Sequence, residues 1–191
     1  MLHKLRFNQA FRCFKQGEIF EFRPGVNLLV GDQGAGKSTM FQVIVSCSRG
    51  KKPIADVGMK ADEGTNLFSF DFEKENPRMQ DIRANKRPFS FNIATRFCSH
   101  GQTVNAIVAE IDKQTNTTLL MDEPDMALSV RSVAILAHRF RRSAEAGNQL
   151  IAAVHNPLLI RAFPEVYSIE HRRWMGSREF VDLLWQSGSA S

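Results

Sequence analysis

VNLLVGDQGAGKST, at Val26–Thr39, is the stretch that decides the fold. Its first five residues are typical of a β-strand, and Gly31, four further residues and then Gly36, Lys37 and Ser38 follow directly. Glycines at this spacing let the backbone turn tightly and point its N–H groups at an anion, with the N-terminus of the next helix behind them. The pattern predicts a loop that binds the phosphates of a nucleotide, with the lysine near the β- and γ-phosphates and the serine hydroxyl on Mg²⁺. The residues expected to contact the nucleotide here are Gly31, Asp32, Gln33, Gly34, Ala35, Gly36, Lys37, Ser38 and Thr39.

The length and composition of the chain are those of an ordinary globular protein. It has 191 residues, 43% of them hydrophobic and 24% charged, which favours one α/β domain. Cys13, Cys47 and Cys98 are odd in number and far apart, and this spacing favours reduced thiols over a disulfide framework or a zinc site. We predict that residues 1–186 form the domain and that 187–191, a Ser/Gly tail, is flexible.

The sequence contains no pattern for a membrane segment or a secretory signal. No stretch approaches the roughly 20 apolar residues that span a bilayer, and MLHKLRFNQAF at the start lacks the apolar core of a signal peptide. The sequence therefore predicts a cytoplasmic protein with no membrane partner.

The net charge of +5 comes from small basic groups, such as Arg139, Arg141 and Arg142. Groups of this kind can line a surface that binds DNA, although no motif for reading a nucleic acid is visible. A solvated basic face is the other interpretation, so charge alone leaves both open.

Hydrophobic patterning in the first half predicts strands and one helix around the phosphate loop. Apolar residues alternate at 5–7 and 19–22, which indicates an antiparallel pair leading into the strand before the loop. A helix is expected over 40–48, directly after the phosphate loop, with a loop at 50–65 and a further strand at 67–72.

The second half predicts a parallel sheet. Apolar runs at 117–121 and 150–154 are typical of buried parallel strands, and apolar residues repeat at helical spacing from 130 to 144 between them. In such a β–α–β succession ligands collect at the carboxyl ends of the strands. Trp174 and Trp185 are expected to be packing residues.

Acidic and histidine side chains follow these two strands. Asp122 ends the first strand, where its carboxylate would hold Mg²⁺ together with Ser38. Glu123 is next and is the candidate base that orients and deprotonates an attacking water. His155 ends the second strand, where its imidazole would contact the γ-phosphate or that water.

Four segments together resemble the motifs of ABC-class ATPases, in that family's order. GDQGAGKST (31–39) is similar to Walker A, CSHGQ (98–102) to the signature, LLMDEPDMALS (119–129) to Walker B with the D-loop, and IAAVHNP (151–157) to the switch histidine. FRCF (11–14), followed by GEIFEFRPGVNLLVG, is similar to the opening of the RecF/SMC-like branch rather than of transporters. Because the stretch between Ser38 and Ser99 is short, the chain looks like a compact AAA-type bacterial or phage ATP-binding protein without a coiled coil.

The resemblance implies a fold and an activity. The fold would be an α/β P-loop NTPase of ABC type, with a mostly parallel sheet, an antiparallel N-terminal β region and a reduced helical subdomain. The activity would be hydrolysis of ATP to ADP and phosphate with Mg²⁺, in a homodimer that forms on ATP binding and sandwiches two nucleotides. This switch would act on DNA, on a nuclease or on another protein.

The resemblance also assigns roles in the sandwich. Glu123 would act on the water, and His155 would sense the γ-phosphate. Asp125 would make the D-loop contact, while Ser99, Gly101 and Gln102 would reach the partner's nucleotide as the signature. The role of Gly101 also has a physical basis, because a helix that begins there would point the positive end of its dipole at that nucleotide.

Other functions stay open at the level of the sequence. His100 stands where the signature usually has a small residue, and Cys98 stands where it has leucine. The departure at His100 motivates the alternative of an ATP-gated binding module or DNA clamp with little turnover. The ATP-binding subunit of a transporter is disfavoured by the short 39–98 region, and a nucleotide kinase has no need of Glu123 and His155. Arg12 and Phe14 are candidates for the contact to the base.

Overall fold

The computed structural model describes residues 1–48, 53–71, 114–126 and 128–188. In these ranges the chain forms nine strands and four helices. The strands are β1 (Leu2–Phe7), β2 (Ile19–Glu21), β3 (Val26–Val30), β4 (Val57–Ala61), β5 (Asn66–Asp71), β6 (Thr117–Asp122), β7 (Gln149–Ala153), β8 (Glu165–Ser168) and β9 (Arg173–Gly176). The helices are α1 (Lys37–Ser48), α2 (Val130–Glu145), α3 (Pro157–Arg161) and α4 (Ser177–Gly188).

Six strands form the central sheet, in the order β5-β6-β7-β3-β8-β9. Neighbouring strands run parallel from β5 to β8, and β9 alone is antiparallel to its neighbour β8. The mostly parallel sheet predicted from the sequence is therefore confirmed. Because β7 lies between β6 and β3, the carboxyl ends of these three strands are side by side at one edge, where parallel sheets bind ligands.

Three further strands form an antiparallel sheet in the order β2-β1-β4. The predicted pairing of the first two strands is confirmed, with Leu5 opposite Phe20. The loop predicted at 50–65 is wrong in part, because Val57–Ala61 forms β4 along the other side of β1. Its apolar residues alternate with Gly58 and Lys60 and are only half buried, so the local pattern is weak and pairing with β1 defines the strand.

Apolar side chains cover both faces of the central sheet. Residues of β3 alternate between the faces, so that Leu28 and Val30 pack on one side and Leu29 on the other. The first side is covered by α2, α3 and α4, while the second is covered by α1 and the antiparallel sheet. Burial on both faces explains why the strands read as continuous apolar runs in the sequence.

The fully buried amide of Gln149 ties the two sheets together. Its Oε1 accepts hydrogen bonds from the Leu2 backbone N–H at 2.8 Å and from Thr118 Oγ1 at 3.0 Å. Its Nε2 donates to the carbonyl oxygens of Leu2 at 2.7 Å and of Arg23 at 3.0 Å. All donors and acceptors of this amide are therefore used at the edge of the sheet opposite the carboxyl ends.

The C-terminal part corrects one prediction. Trp174 is half buried beneath Arg23, whose guanidinium carbon lies 4.1 Å from the ring centroid, but Trp185 is 75% exposed and does not pack as expected. The last helix includes residues 187 and 188 of the predicted tail, and 189–191 lie outside the described residues. The reduced helical subdomain stays a prediction, because residues 72–113 also lie outside the described residues. None of the helices described here is long and apolar enough to cross a membrane.

Candidate nucleotide-binding site

The glycine-rich loop lies between β3 and α1, as the sequence predicts. Gly36 has a φ of 105°, in the region that favours glycine. The space for a side chain at this position is also small. A Cβ at this position would lie 2.4 Å from Cys13 Sγ and 2.9 Å from Phe14 Cζ. Only glycine therefore lets the loop pass against the turn at 11–14 and enter the helix.

The Lys37 side chain folds back onto this loop. Its Nζ donates to the carbonyl oxygens of Gly31 at 2.8 Å and Asp32 at 2.9 Å, and the residue is only 6% exposed. Burial lowers the pKa of the ammonium, and the nearby carboxylates, Glu123 first among them, act in the opposite direction. The ammonium is thus held among the site carboxylates and next to the loop that would bind phosphate.

Asp122 and Glu123 occupy different positions although they are adjacent in sequence. Asp122 is buried and is the last residue of β6, in register with Ala153 of β7. Glu123 adopts a left-handed backbone conformation with a φ of 55°, and its N–H donates to the Ala153 carbonyl at 3.1 Å. Because the chain turns here, Asp122 remains in the sheet and Glu123 is half exposed. The two adjacent carboxylates can therefore serve the separate roles predicted for them, metal binding and action on the water.

His155 lies next to Glu123. Its Nε2 is 3.2 Å from Glu123 Oε1, and both side chains are partly exposed. The imidazole is therefore within hydrogen-bond reach of the carboxylate at the edge where the phosphate loop ends. An imidazole in this place can orient the carboxylate and also contact a phosphate oxygen or a water.

Asp125 holds the backbone around His155. Its Oδ2 accepts from the N–H groups of His155 at 2.8 Å and of Asn156 at 2.5 Å. The carboxylate is nearly inaccessible, so burial raises its pKa while the two donors act in the opposite direction. Asn156 in turn caps α3, since its Oδ1 accepts from the Leu158 N–H at 2.9 Å. The D-loop contact predicted for Asp125 across a dimer stays a prediction, and within the chain this side chain positions the histidine.

A pocket of about 420 Å³ joins the phosphate loop to the ends of β6 and β7. It is open to solvent, and five of its six lining residues are polar or charged. The side chains that line it are Gln33, Glu123, Asp125, Met126, His155 and Asn156. The structure thus brings Gln33 of the predicted loop together with the predicted base and the predicted sensor.

The oxygen donors at this edge fit Mg²⁺. Ser38 is exposed in the first turn of α1, and Asp122 supplies a carboxylate. In the part of the chain that the structure describes, no cluster of three or more His, Cys, Asp or Glu side chains could hold a metal ion. A set of one hydroxyl and one carboxylate is typical of Mg²⁺ bound together with phosphate and water.

The signature residues are not among those that the structure describes. Ser99, Gly101 and Gln102 lie in 72–113, with Cys98 and His100. Their role therefore stays a prediction.

Two contacts to the loop region were not predicted from the sequence. Glu170, beyond the end of β8, accepts from the Asp32 backbone N–H with its Oε1 at 2.7 Å. Arg12 Nη1 donates to Thr39 Oγ1 at 3.2 Å and to Gln42 Oε1 at 3.3 Å, so this candidate for the base contact lies against the start of α1. No local pattern marks Glu170, because it is distant in sequence and only the pairing of β8 with β3 brings it to the loop.

Comparisons with known proteins agree with this geometry. The model of the AAA domain family matches residues 9–128. The fold is similar to MJ1267, an ATP-binding cassette of an ABC transporter, with a TM-score of 0.63 and 14% identity over 96% of this chain and 94% of that one. It is also similar to the ATP-binding cassette MJ0796, with a TM-score of 0.59 and 14% identity over 92% of this chain and 97% of that one.

A third similar structure is the SMC head domain from Thermotoga maritima. Its TM-score is 0.57, with 15% identity over 87% of this chain and 94% of that one. A comparison with curated proteins found no significant match. Identities this low establish the fold alone, whereas the family model covers more than half of the chain. The chain therefore belongs to the AAA domain family, and its fold is that of the ABC-type ATP-binding cassettes.

Proposed function

We propose that this protein is an ATPase that dimerises around two ATP–Mg²⁺ and works as a nucleotide-driven switch. The observation that carries the proposal is the 3.2 Å contact between Glu123 Oε1 and His155 Nε2, beside the phosphate loop. A carboxylate held in this place can orient and deprotonate a water. A kinase that transfers phosphate to an alcohol does not need this pair.

The residues of the chain divide the chemistry of hydrolysis among them. Lys37 would exchange the two loop carbonyls for phosphate oxygens, which keeps its ammonium hydrogen-bonded when ATP enters. Glu123 would take the proton of the attacking water, and His155 would keep that carboxylate in place and contact the γ-phosphate. Ser38 and Asp122 would hold Mg²⁺, which would supply positive charge against the charge that develops on the phosphates.

Exposed apolar side chains beside the pocket support the dimer. Val130, which begins α2 after the D-loop, is 71% exposed, and Leu158, in the first turn of α3 after His155, is 50% exposed. Val130 follows Met126 by four residues and Leu158 follows Asn156 by two, and both Met126 and Asn156 line the pocket. The cassette MJ0796 was solved as a dimer in a post-hydrolysis state with ADP and Pi. A second copy on this face would bring its Ser99, Gly101 and Gln102 to the nucleotide.

The proposal is tested by measuring the molar mass of the protein and its ATP turnover in the same samples. Light scattering would compare wild type and Glu123→Gln, with and without ATP–Mg²⁺, while phosphate release is recorded. We expect turnover in the wild type and a stable, inactive dimer in the variant, because ATP contacts both subunits only in the closed form. A Glu123→Gln variant that remains monomeric with saturating ATP would overturn the proposed dimer around two ATP molecules.

The second candidate is an ATP-gated binding module with little turnover, which His100 in the signature favours. The same assay separates the two, since this module would dimerise on ATP without steady phosphate release. A cytoplasmic location without a membrane partner belongs to both proposals. DNA and a nuclease are the candidate partners, and stimulation of phosphate release by double-stranded DNA would support the first of them.

A further inference from the structure

The turn between β8 and β9 contacts the phosphate loop directly. The β8 side of this turn is fixed to the end of β3, because the Ile169 N–H donates to the Val30 carbonyl at 2.9 Å. The next residue, Glu170, places its Oε1 2.7 Å from the Asp32 backbone nitrogen. A carboxylate thus accepts a hydrogen bond from the loop that would bind an anionic ligand.

One peptide group of the loop is held from both sides. The carbonyl of Gly31 accepts from the Lys37 ammonium at 2.8 Å, and the N–H of the same peptide unit, on Asp32, donates to Glu170. A positive group therefore faces the oxygen and a negative group faces the nitrogen, so both align with the peptide dipole. Hydrogen bonds to ionised groups are about twice as strong as bonds between neutral groups.

The hydrogen bond from Lys37 and the hydrogen bond to Glu170 would respond differently when phosphate enters the loop. Lys37 would move its hydrogen bonds from the loop carbonyls to phosphate oxygens, which leaves the Gly31–Asp32 peptide without its positive partner. Glu170 lies on the other side of this peptide and keeps its bond. We propose that Glu170 is a positioning residue, which holds the first turn of the loop in shape for the phosphates while Lys37 is engaged by them. This inference rests on the nucleotide binding proposed above.

The same turn also supports the other end of the loop. Arg172 has a left-handed backbone with a φ of 53°, and its Nη2 donates to the Cys13 carbonyl at 3.4 Å. Cys13 lies against Gly36, and its thiol is 3.7 Å from the Ala35 carbonyl oxygen. Arg172 also pairs with Glu18 at 3.4 Å. The turn is thus anchored independently of the nucleotide, as a support for the loop must be.

The charge of Glu170 would act against ATP, since a carboxylate repels a polyphosphate. A hydrogen-bond acceptor without charge would avoid this repulsion. Glu170→Gln retains an acceptor oxygen and removes the charge, whereas Glu170→Ala removes both. The two variants therefore separate positioning of the loop by the hydrogen bond from electrostatic repulsion between the carboxylate and ATP.

The test measures ATP affinity by calorimetry and steady-state KM and kcat for wild type, Glu170→Ala and Glu170→Gln. Glu165→Ala is the matched control, because it removes an exposed carboxylate from the start of β8, far from the loop. Glu170→Ala should weaken ATP binding and raise KM about tenfold, with kcat at saturation little changed. Glu170→Gln should recover most of the affinity, and the control should bind as the wild type does.

Hydrogen exchange provides a readout that does not depend on nucleotide. Without ATP, the Asp32 amide should exchange faster in Glu170→Ala and stay protected in Glu170→Gln, with the melting temperature unchanged in both. Wild-type affinity in Glu170→Ala, or an equal loss in both variants, would overturn the inference while the proposed function stands. A wild type that binds no ATP would overturn both.

Discussion

His155 Nε2 lies 3.2 Å from Glu123 Oε1, although the two residues follow different strands. The contact depends on the register of the central sheet, in which Asp122 of β6 is opposite Ala153 of β7. Each side chain comes shortly after this pair, so parallel pairing alone brings both to one edge. The left-handed turn at Glu123 then separates it from the buried Asp122.

His155→Ala should lower kcat for phosphate release by about 10²-fold, because the carboxylate loses the group that orients it. KM for ATP should rise by a much smaller factor than kcat falls, since the phosphate loop is intact and a single contact to the γ-phosphate is lost. Steady-state kinetics checks this, with His138→Ala on the exposed face of α2 as the control. Equal kinetics in His155→Ala and the control would contradict a role for this imidazole.

Asp125→Ala should destabilise the fold more than Asp125→Asn does. Alanine leaves the N–H groups of His155 and Asn156 without their acceptor, and each such loss costs about 1–3 kcal/mol in a buried site. Asparagine retains an acceptor oxygen. The free energy of unfolding in urea measures the difference, and an alanine variant as stable as the asparagine variant would show that water replaces the carboxylate at no cost.

The pKa of Asp125 leads to a pH dependence. Burial raises it above its ordinary value of 3.8, so the folded state binds the proton more tightly than the unfolded state does. The stability of the wild type relative to Asp125→Asn is therefore highest below pH 3.8 and falls as pH rises through the folded pKa. Urea unfolding of both proteins across this range checks the sign, and a relative stability that rises with pH would mean that the two N–H donors outweigh burial.

Gln149→Met should destabilise the protein by about 2–4 kcal/mol, although the two side chains have similar volumes. The change leaves the Leu2 N–H and two carbonyl groups without their partners between the sheets. Denaturant unfolding measures the loss. Gln42→Met is a control, because among the described residues that exposed amide hydrogen-bonds Arg12 alone. A loss no larger than in the control would show that the amide network contributes little.

Much of the site could be predicted because its signals are local. The phosphate loop requires glycines and a lysine at set spacings, and that requirement is visible within fourteen residues. Glu123 and His155 follow apolar runs that only a buried parallel strand explains. The helix α2 follows from apolar residues at helical spacing, because one of its faces must cover the sheet, whereas α1 follows from the phosphate loop that precedes it.

Other features depend on which segments meet. The strand β4 is defined by its pairing with β1, since its own alternation is weak. Trp185 is apolar and yet exposed, which its residue type does not indicate.

The sequence by itself determined the phosphate loop, the buried strands and the identity of the residues at their ends, since backbone geometry and hydrophobic periodicity act over a few neighbours. Only the tertiary structure decided that β7 lies between β6 and β3, that Asp125 holds the backbone of His155, and that Glu170 reaches Asp32. These contacts join segments far apart in the chain, and strand pairing, rather than any local preference, brings them within hydrogen-bond distance.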